Sequence, residues 1–444
     1  MKKYIDIKII ALLFLALLNW SCETDFENQN QATDEQTYSS REGILAASVG
    51  MQQLYATTGL RWIVETPAIT TREGGITTTF QNMIELEDGG AVLPNSNSNV
   101  EGLWNTMARV MKISEDIEAN VPSLSLTSGT ESGLIAYAKL FKALAIGSLS
   151  QNYEQIIIQT NQENNASFID RNGGFQEAIR LLTEASSLIA STPVSTEFDS
   201  EITRGKIDLE NTIQAMLARY NLFAGNYEAA ITAANNVDQS SISVFEYDAL
   251  NLNPIWTRVY QNSAPNFKPR DNFGLPEEFI FSPEDGRVSF YLIPLDETNQ
   301  NGLPIEDLAG FFDENTELIP VYIPDEMNLI IAEASLRKSS PDIQAAIDAL
   351  NLVLTNNNDP FGINANLGAY SGESSVEALL DEIYKNRRAE LFLTGMSLED
   401  SRRFNRPQPS GDAMNYSEER NRNFYPYSER ERNSNPNTPA DPVI

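Results

Sequence analysis

From residue 40 onward the apolar positions recur at three- and four-residue steps, so the chain reads as mostly α-helical. Ser39 and Glu42 have the spacing of a capping box, in which serine and glutamate satisfy each other's backbone N–H groups. Ile44, Ala47, Met51 and Leu54 then form an apolar stripe. Val100, Leu103, Trp104, Met107 and Met111 form a second, and Leu134, Tyr137, Ala138, Phe141 and Leu144 a third. Phe175, Ala178, Ile179, Leu182 and Ile189 form a fourth. Each stripe is the core-facing side of a helix and specifies scaffold rather than chemistry.

Two later segments predict helix pairs. Residues 215–237 carry two helices rich in small side chains, separated by Gly225-Asn226, with Ala218 and Ala229 where the helices approach and Tyr227 at the turn. Residues 332–353 repeat the plan, with Pro341 expected to start the second helix. Both resemble tetratricopeptide helix pairs, which stack side by side and bury a shared face. Between the helical blocks lie irregular stretches rich in Gly, Asn, Pro and Thr, at 59–99, 240–325 and 356–374. Glu278-Phe279-Ile280-Phe281 and residues 288–293 are expected to be short strands within the second. Loops this long are uncommon in compact proteins and usually functional.

The N-terminus reads as an address. Lys2 and Lys3 precede an apolar run at 9–18, too short to span a bilayer at about 20 residues but suited to a secretory signal. Ser21-Cys22 closes the run and resembles a bacterial lipoprotein cleavage box, with Asn19 where an aliphatic residue is usual. Residues 1–21 are therefore expected to be a signal peptide, Cys22 the lipidation site, 22–40 a flexible tether, and 41–444 the folded domain. Glu23-Thr24-Asp25-Phe26-Glu27 resembles the surface-export signal of Bacteroidetes lipoproteins. No later stretch reads as apolar enough to cross a membrane.

Charge and composition then narrow the chemistry. The 444 residues include 62 acidic and 31 basic side chains, a net charge of −31, which repels phosphate backbones and argues against nucleic-acid partners. There is no histidine, and Cys22 is the one cysteine. His-based triads, His or Cys metal sites and disulfides within the chain are excluded. No cofactor and no metal site is expected. A carboxylate pair, as in glycoside hydrolysis, is not excluded by composition.

Several segments, taken in order, resemble the SusD/RagB family of outer-membrane nutrient-binding lipoproteins. After the lipoprotein start come Leu103-Trp104-Asn105 leading to Ala119-Asn120, and Leu217-Ala218-Arg219 running through Gly225 to Ala229-Ala230. Asn253-Pro254-Ile255-Trp256, Asp285-Gly286-Arg287 and residues 329–334 with Glu333 follow. The most specific segment runs from Tyr384 to Gly395 and on through Leu398-Glu399-Asp400-Ser401-Arg402-Arg403-Phe404. It is similar to the family's arginine-rich helix, glycine turn and Asp-x-Arg-Arg segment, with Ser401 where leucine is usual. Phe424-Tyr425-Pro426-Tyr427 and Asn435-Pro436 resemble its closing pieces. The resemblance covers essentially the whole chain after Cys22. It implies a SusD-like α-helical fold with about four tetratricopeptide-like helix pairs and a loop-rich variable portion. It also implies a lipid-anchored place on the outer-membrane surface and a SusC-like TonB-dependent barrel as partner.

Such a lipoprotein would capture an oligosaccharide and deliver it to the barrel without cutting it. Peptide capture by the same architecture is the alternative, and a carboxylate-pair glycoside hydrolase a lesser one. Sugar rings need flat aromatic faces with amides and carboxylates nearby. Trp62, Arg72, Phe80 and Asn82 in the first loop, and Tyr260, Asn262, Phe267, Asn272 and Phe273 in the second, are the candidate ligand-binding residues. Trp62 is expected to face outward from a loop, and Trp104 to be core. The C-terminal cations Lys385, Arg387, Arg388, Arg402, Arg403, Arg406, Arg420, Arg422, Arg430 and Arg432 could form an anion patch. The preferred reading is exposed pairing and capping with Glu390, Glu399, Asp400, Glu418 and Glu429, each pair weak by itself.

Overall fold

The computed structural model describes residues 37–161, 163–261 and 265–444. Cys22, Asn262 and most of the expected tether lie outside the described residues. Helix α1 (Arg41–Leu54) is capped by Ser40, whose hydroxyl accepts from the Gly43 N–H, so the cap falls just after the expected Ser39. A π-helical turn (Tyr55–Gly59) carries α1 directly into α2 (Leu60–Thr70). The stretch read as irregular from residue 59 is thus helical at its start, and Trp62 sits on a helix. Tyr55, Leu60, Ile63 and Val64 continue the buried stripe. Pro67 lies inside α2 and leaves the Ile63 carbonyl without its helical donor; Gly395 packs on that carbonyl, where a Cβ would come within 2.6 Å.

After α3 (Gln81–Asp88), eight helices run as an array: α4 (Ser98–Asn120), α5 (Ser128–Asn152), α6 (Arg171–Ser191), α7 (Leu209–Phe223), α8 (Tyr227–Asn235), α9 (Pro324–Arg337), α10 (Ile343–Leu354) and α11 (Val376–Glu390). Each packs against the next in chain order, the equivalent of four helix pairs. The stripe residues Val100, Leu103, Trp104, Met107, Met111, Tyr137, Phe141, Phe175 and Leu182 are fully buried. Gly147 lets α5 and α7 approach, because a Cβ there would strike the Tyr220 ring at 2.2 Å. Pro341 precedes rather than starts α10, whose cap is Asp342. Helix α5 is long and apolar enough to cross a membrane, contrary to the reading of its sequence, but its apolar window is 83% buried inside the protein.

The strands are short. Among the described residues they form four antiparallel two-stranded sheets: β1 (Gly74–Ile76) with β5 (Phe267–Pro269), β2 (Gln155–Ile157) with β3 (Phe168–Asp170), β4 (Val244–Phe245) with β8 (Ile319–Pro320), and β6 (Leu292–Thr298) with β7 (Pro304–Leu308). Of the two expected strands, 278–281 begins as a helical turn (Glu277–Phe279). Residues 288–293 belong mostly to a short helix (Gly286–Tyr291) capped by Asp285, with β6 starting only at Leu292.

Several of the C-terminal arginines are paired inside the protein, whereas Arg432 pairs with Asp441 at its surface. Arg387 donates to Asp400 at 2.8 Å, Arg402 to Glu399 at 2.6 Å and Arg403 to Asp400 at 2.7 Å, with Glu399, Asp400, Arg402 and Arg403 all on α12 (Ser397–Arg403). Arg287 joins Asp285 to Glu390 at 2.8 and 3.3 Å, with all three side chains buried. Ser401, where the family pattern has leucine, accepts from Arg420 through both its carbonyl and its hydroxyl. The last segment of the chain then returns to the first helices. Asn421 N–H donates to the Thr70 carbonyl at 3.1 Å, Tyr425 N–H to Asn152 at 3.0 Å, and Glu429 N–H to Asn95 at 3.1 Å.

Candidate functional site

The β1–β5 ladder joins the two long loops that carry the candidate residues. Beyond its Ile76–Phe267 end, the Thr77 N–H donates to the Asn266 carbonyl at 3.0 Å and the Thr77 hydroxyl to the Pro265 carbonyl at 2.7 Å. Gln300, from the β6–β7 turn, donates to the Thr78 carbonyl at 3.2 Å. Phe80 stands at the start of α3 with its ring 57% exposed. Asn82 donates to Asn99 at 2.5 Å on the first turn of α4. One turn further along α4, Gly102 makes room for Trp62, whose ring lies 2.4 Å from where a Cβ would stand.

Trp62 and Asn82 therefore both reach the first turns of α4, and Phe80 stands exposed two residues before Asn82. Trp62 does not project freely as its expected loop position implied. It is half-buried, and the Arg61 guanidinium lies 4.0 Å over its ring, so a ligand meets an Arg61–Trp62 stack. Behind the stack, buried Glu65 receives a bidentate pair from Arg258 at 2.7 and 2.8 Å. Burial holds the Arg61 guanidinium below its ordinary pKa; Glu65 opposes this and Arg258 adds to it. The face offers an exposed aromatic ring, amides and a fixed guanidinium plane, which suits a ring-shaped polar ligand.

The remaining candidates divide. Tyr260 is half-buried, its hydroxyl donates to the Leu308 carbonyl, and burial pushes its pKa up to about 12. Phe267 is sealed in β5 opposite Ile76. Phe273 packs edge-on to Phe281 and Phe392 at 4.9 and 5.0 Å. Both phenylalanines are core, which corrects the expectation that they face a ligand. Asn272 spends its amide locally, accepting from the Phe281 N–H at 3.0 Å and donating to the Leu275 carbonyl at 3.0 Å. Arg72 is buried, in the left-handed backbone region at φ 63°, and donates to the carbonyls of Glu87, Asn415 and Glu418 at 2.9, 3.2 and 3.3 Å. It lines a separate cavity of about 460 Å³ at the other end of the ladder. Sequence reasoning missed Arg61, Glu65, Asn99 and Arg258. Asn99 had a signal, as a polar position beside the Val100 stripe, whereas Arg258 had none. Among the described residues no group of three or more acidic side chains is placed to hold a metal ion.

No protein-family model matches the sequence, and no curated protein is similar to it. Solved structures are similar over nearly the whole chain. A SusD superfamily protein of Bacteroides thetaiotaomicron superposes with TM-score 0.67 at 18% identity, covering 91% of this chain and 100% of that one. The chain has a SusD-like fold. A SusD-like carbohydrate-binding protein of Bacteroides fragilis matches the SusD-like chain with TM-score 0.68 at 12% identity, over 90% of this chain and 99% of that one. B. fragilis NanU matches it with TM-score 0.68 at 12% identity, over 93% and 99%. The expected mostly-α architecture is thus the one adopted.

Proposed function

We propose that this protein is a cell-surface lipoprotein that captures an oligosaccharide and delivers it to a SusC-like TonB-dependent barrel, without cutting it. The observation that carries the reading is the start of α4, on which the Arg61–Trp62 stack and Asn82 both rest, with exposed Phe80 two residues before Asn82. The SusD-like fold, a neighbour described as carbohydrate-binding and the lipoprotein-like N-terminus support it. The test is calorimetric titration with a panel of neutral oligosaccharides and, in parallel, a peptide library, followed by overnight incubation of the best ligand. A glycan should bind and emerge without new reducing ends. Selective peptide binding, or turnover dependent on one carboxylate pair, would replace the reading. Replacing Cys22 with Ala should abolish incorporation of labelled fatty acid and release the protein from membranes lacking the barrel.

A further inference from the structure

A groove of about 680 Å³ lies where the end of α6 meets the start of α7. Ile189, Val194 and Ile242 give it apolar walls, and Asp199, Asp208 and Glu210 line it beside them. Among the described residues its lining holds no cation. Arg204 and Lys206 stand nearby in the chain but line a neighbouring cavity, where Lys206 pairs with Glu246 at 2.9 Å.

The apolar wall is held in place. Ile242 is 43% exposed, although the residues on both sides of it are tied to the N-cap of α7. The Ser241 hydroxyl donates to the Asp208 carboxylate at 2.7 Å, and the Asp208 N–H donates to the Ser243 hydroxyl at 2.9 Å. The Thr212 hydroxyl, one turn along α7, donates to the same Ser243 oxygen at 2.8 Å. These bonds fix the Ile242 segment against the helix and leave its branched side chain at the groove. The charges divide in the same way. Asp208 spends its carboxylate on Ser241 and on both amides of Asn211, at 3.1 and 2.7 Å. Asp199 and Glu210 are exposed, and their carboxylates make no hydrogen bond or ion pair among the described residues. Fixed apolar surface is thus bordered by two uncompensated negative charges.

We propose that this groove docks an extended segment of a partner protein in which apolar side chains alternate with lysine or arginine. Successive side chains of an extended strand point to opposite faces, so the apolar ones can enter the groove. The cationic ones are long enough to fold back over the rim, their stems on apolar surface and their heads at Asp199 and Glu210. Charge and apolarity select the partner together. An acidic segment is repelled by both free carboxylates, and a wholly polar one gains nothing from Ile189, Val194 and Ile242. The groove shares no residue with the Trp62 face, so the inference goes beyond the capture reading and does not depend on it.

The test is calorimetric titration of the full chain with three end-capped pentapeptides, Lys-Leu-Lys-Leu-Lys, Lys-Ser-Lys-Ser-Lys and Glu-Leu-Glu-Leu-Glu. Physiological ionic strength screens the overall charge of −31 beyond about 8 Å and is held throughout. The Lys-Leu peptide should bind at least tenfold more tightly than either of the others. Ile242→Ser and Glu210→Gln should each weaken it severalfold while melting near wild type, because both side chains are already in solvent; Asp199→Asn carries the comparison if either melts early. Equal binding of the Lys-Ser peptide would reduce the attraction to diffuse charge and overturn the proposal. Equal binding of the Glu-Leu peptide, or Lys-Leu binding that none of the three variants weakens, overturns it as well. Lys-Leu binding lost in Trp62→Ala but kept in Ile242→Ser would place a peptide on the capture face, against both this inference and the glycan reading. Glycan binding that persists in a chain with no response to the Lys-Leu peptide would leave the proposed function standing and remove this inference alone.

Discussion

Trp104 and Trp62 meet the same helix, α4, two positions apart and on different sides. Trp104 belongs to α4 itself and is wholly enclosed. Its ring lies parallel to Phe168 at 5.6 Å and edge-on to Tyr153 at 4.9 Å, and its indole N–H donates to Glu431 at 3.2 Å. Trp62 comes from α2, rests on bare Gly102, and carries a guanidinium over its ring. On the first side every edge and donor is answered by the protein. On the second the Trp62 ring is half-buried and framed by a glycine and a guanidinium, and Phe80 nearby in sequence is exposed. The same residue type on one helix is thus structural where its indole N–H is buried and paired, and available for recognition where a glycine and an arginine frame it.

The largest expected effect breaks the sealed side. Trp104→Ala removes a buried ring and should cost about 3–5 kcal/mol of stability, read by thermal or denaturant melting. A variant that melts like wild type would show that the aromatic cluster does not hold α4. Next comes Glu73, sealed near α12 with Arg388 at 3.9 Å. Burial raises its carboxyl to about 7, against the opposing pull of Arg388 and of hydrogen bonds from Ser397 and the Leu393 N–H. A carboxyl raised in the folded state holds its proton longer than in the unfolded chain. The protein should therefore lose stability as pH rises from about 4.5 to about 7, by at most about 3 kcal/mol. Glu73→Gln should flatten that slope, and an unchanged slope would place the titration elsewhere.

The open side should answer in binding rather than in melting. Trp62→Ala should weaken oligosaccharide binding by about 0.5–1.5 kcal/mol, and Gly102→Ala should do the same by displacing the Trp62 ring. Phe80→Ala should lower affinity to a similar degree while changing stability by no more than about 0.5 kcal/mol, because its ring is already in solvent. If Phe80→Ala binds ligand unchanged, the recognition face lies elsewhere.

The two sides also differed in how far the sequence announced them. The α4 stripe, Val100 through Met111, was legible because 3.6-residue periodicity is written locally. The family resemblance anticipated the fold for the same reason, since its motifs lie mostly on helices. The open face was only partly legible. Trp62, Phe80 and Asn82 could be named, but Gly59 and Pro67 made α2 look like loop; a π-helical turn absorbs the first, and close packing of Gly395 on the Ile63 carbonyl accommodates the second. The ladder beside the face pairs strands of only three residues, almost two hundred positions apart, too short to leave a pattern. Nor could charge alone separate surface ion pairs from buried ones. Arg387 and Asp400 read identically either way, and only the fold shows that both are enclosed.

The return of the last segment to the first helices also governs when the molecule can fold. Trp104 waits for Glu431 and Tyr427, and the end of α2 waits for Asn421 and Tyr425. A ribosome reading from the N-terminus makes Trp104 long before Tyr427 and Glu431. The Trp104 pocket, though lined early by Tyr153 and Phe168, is therefore completed only when the final few dozen residues have been added.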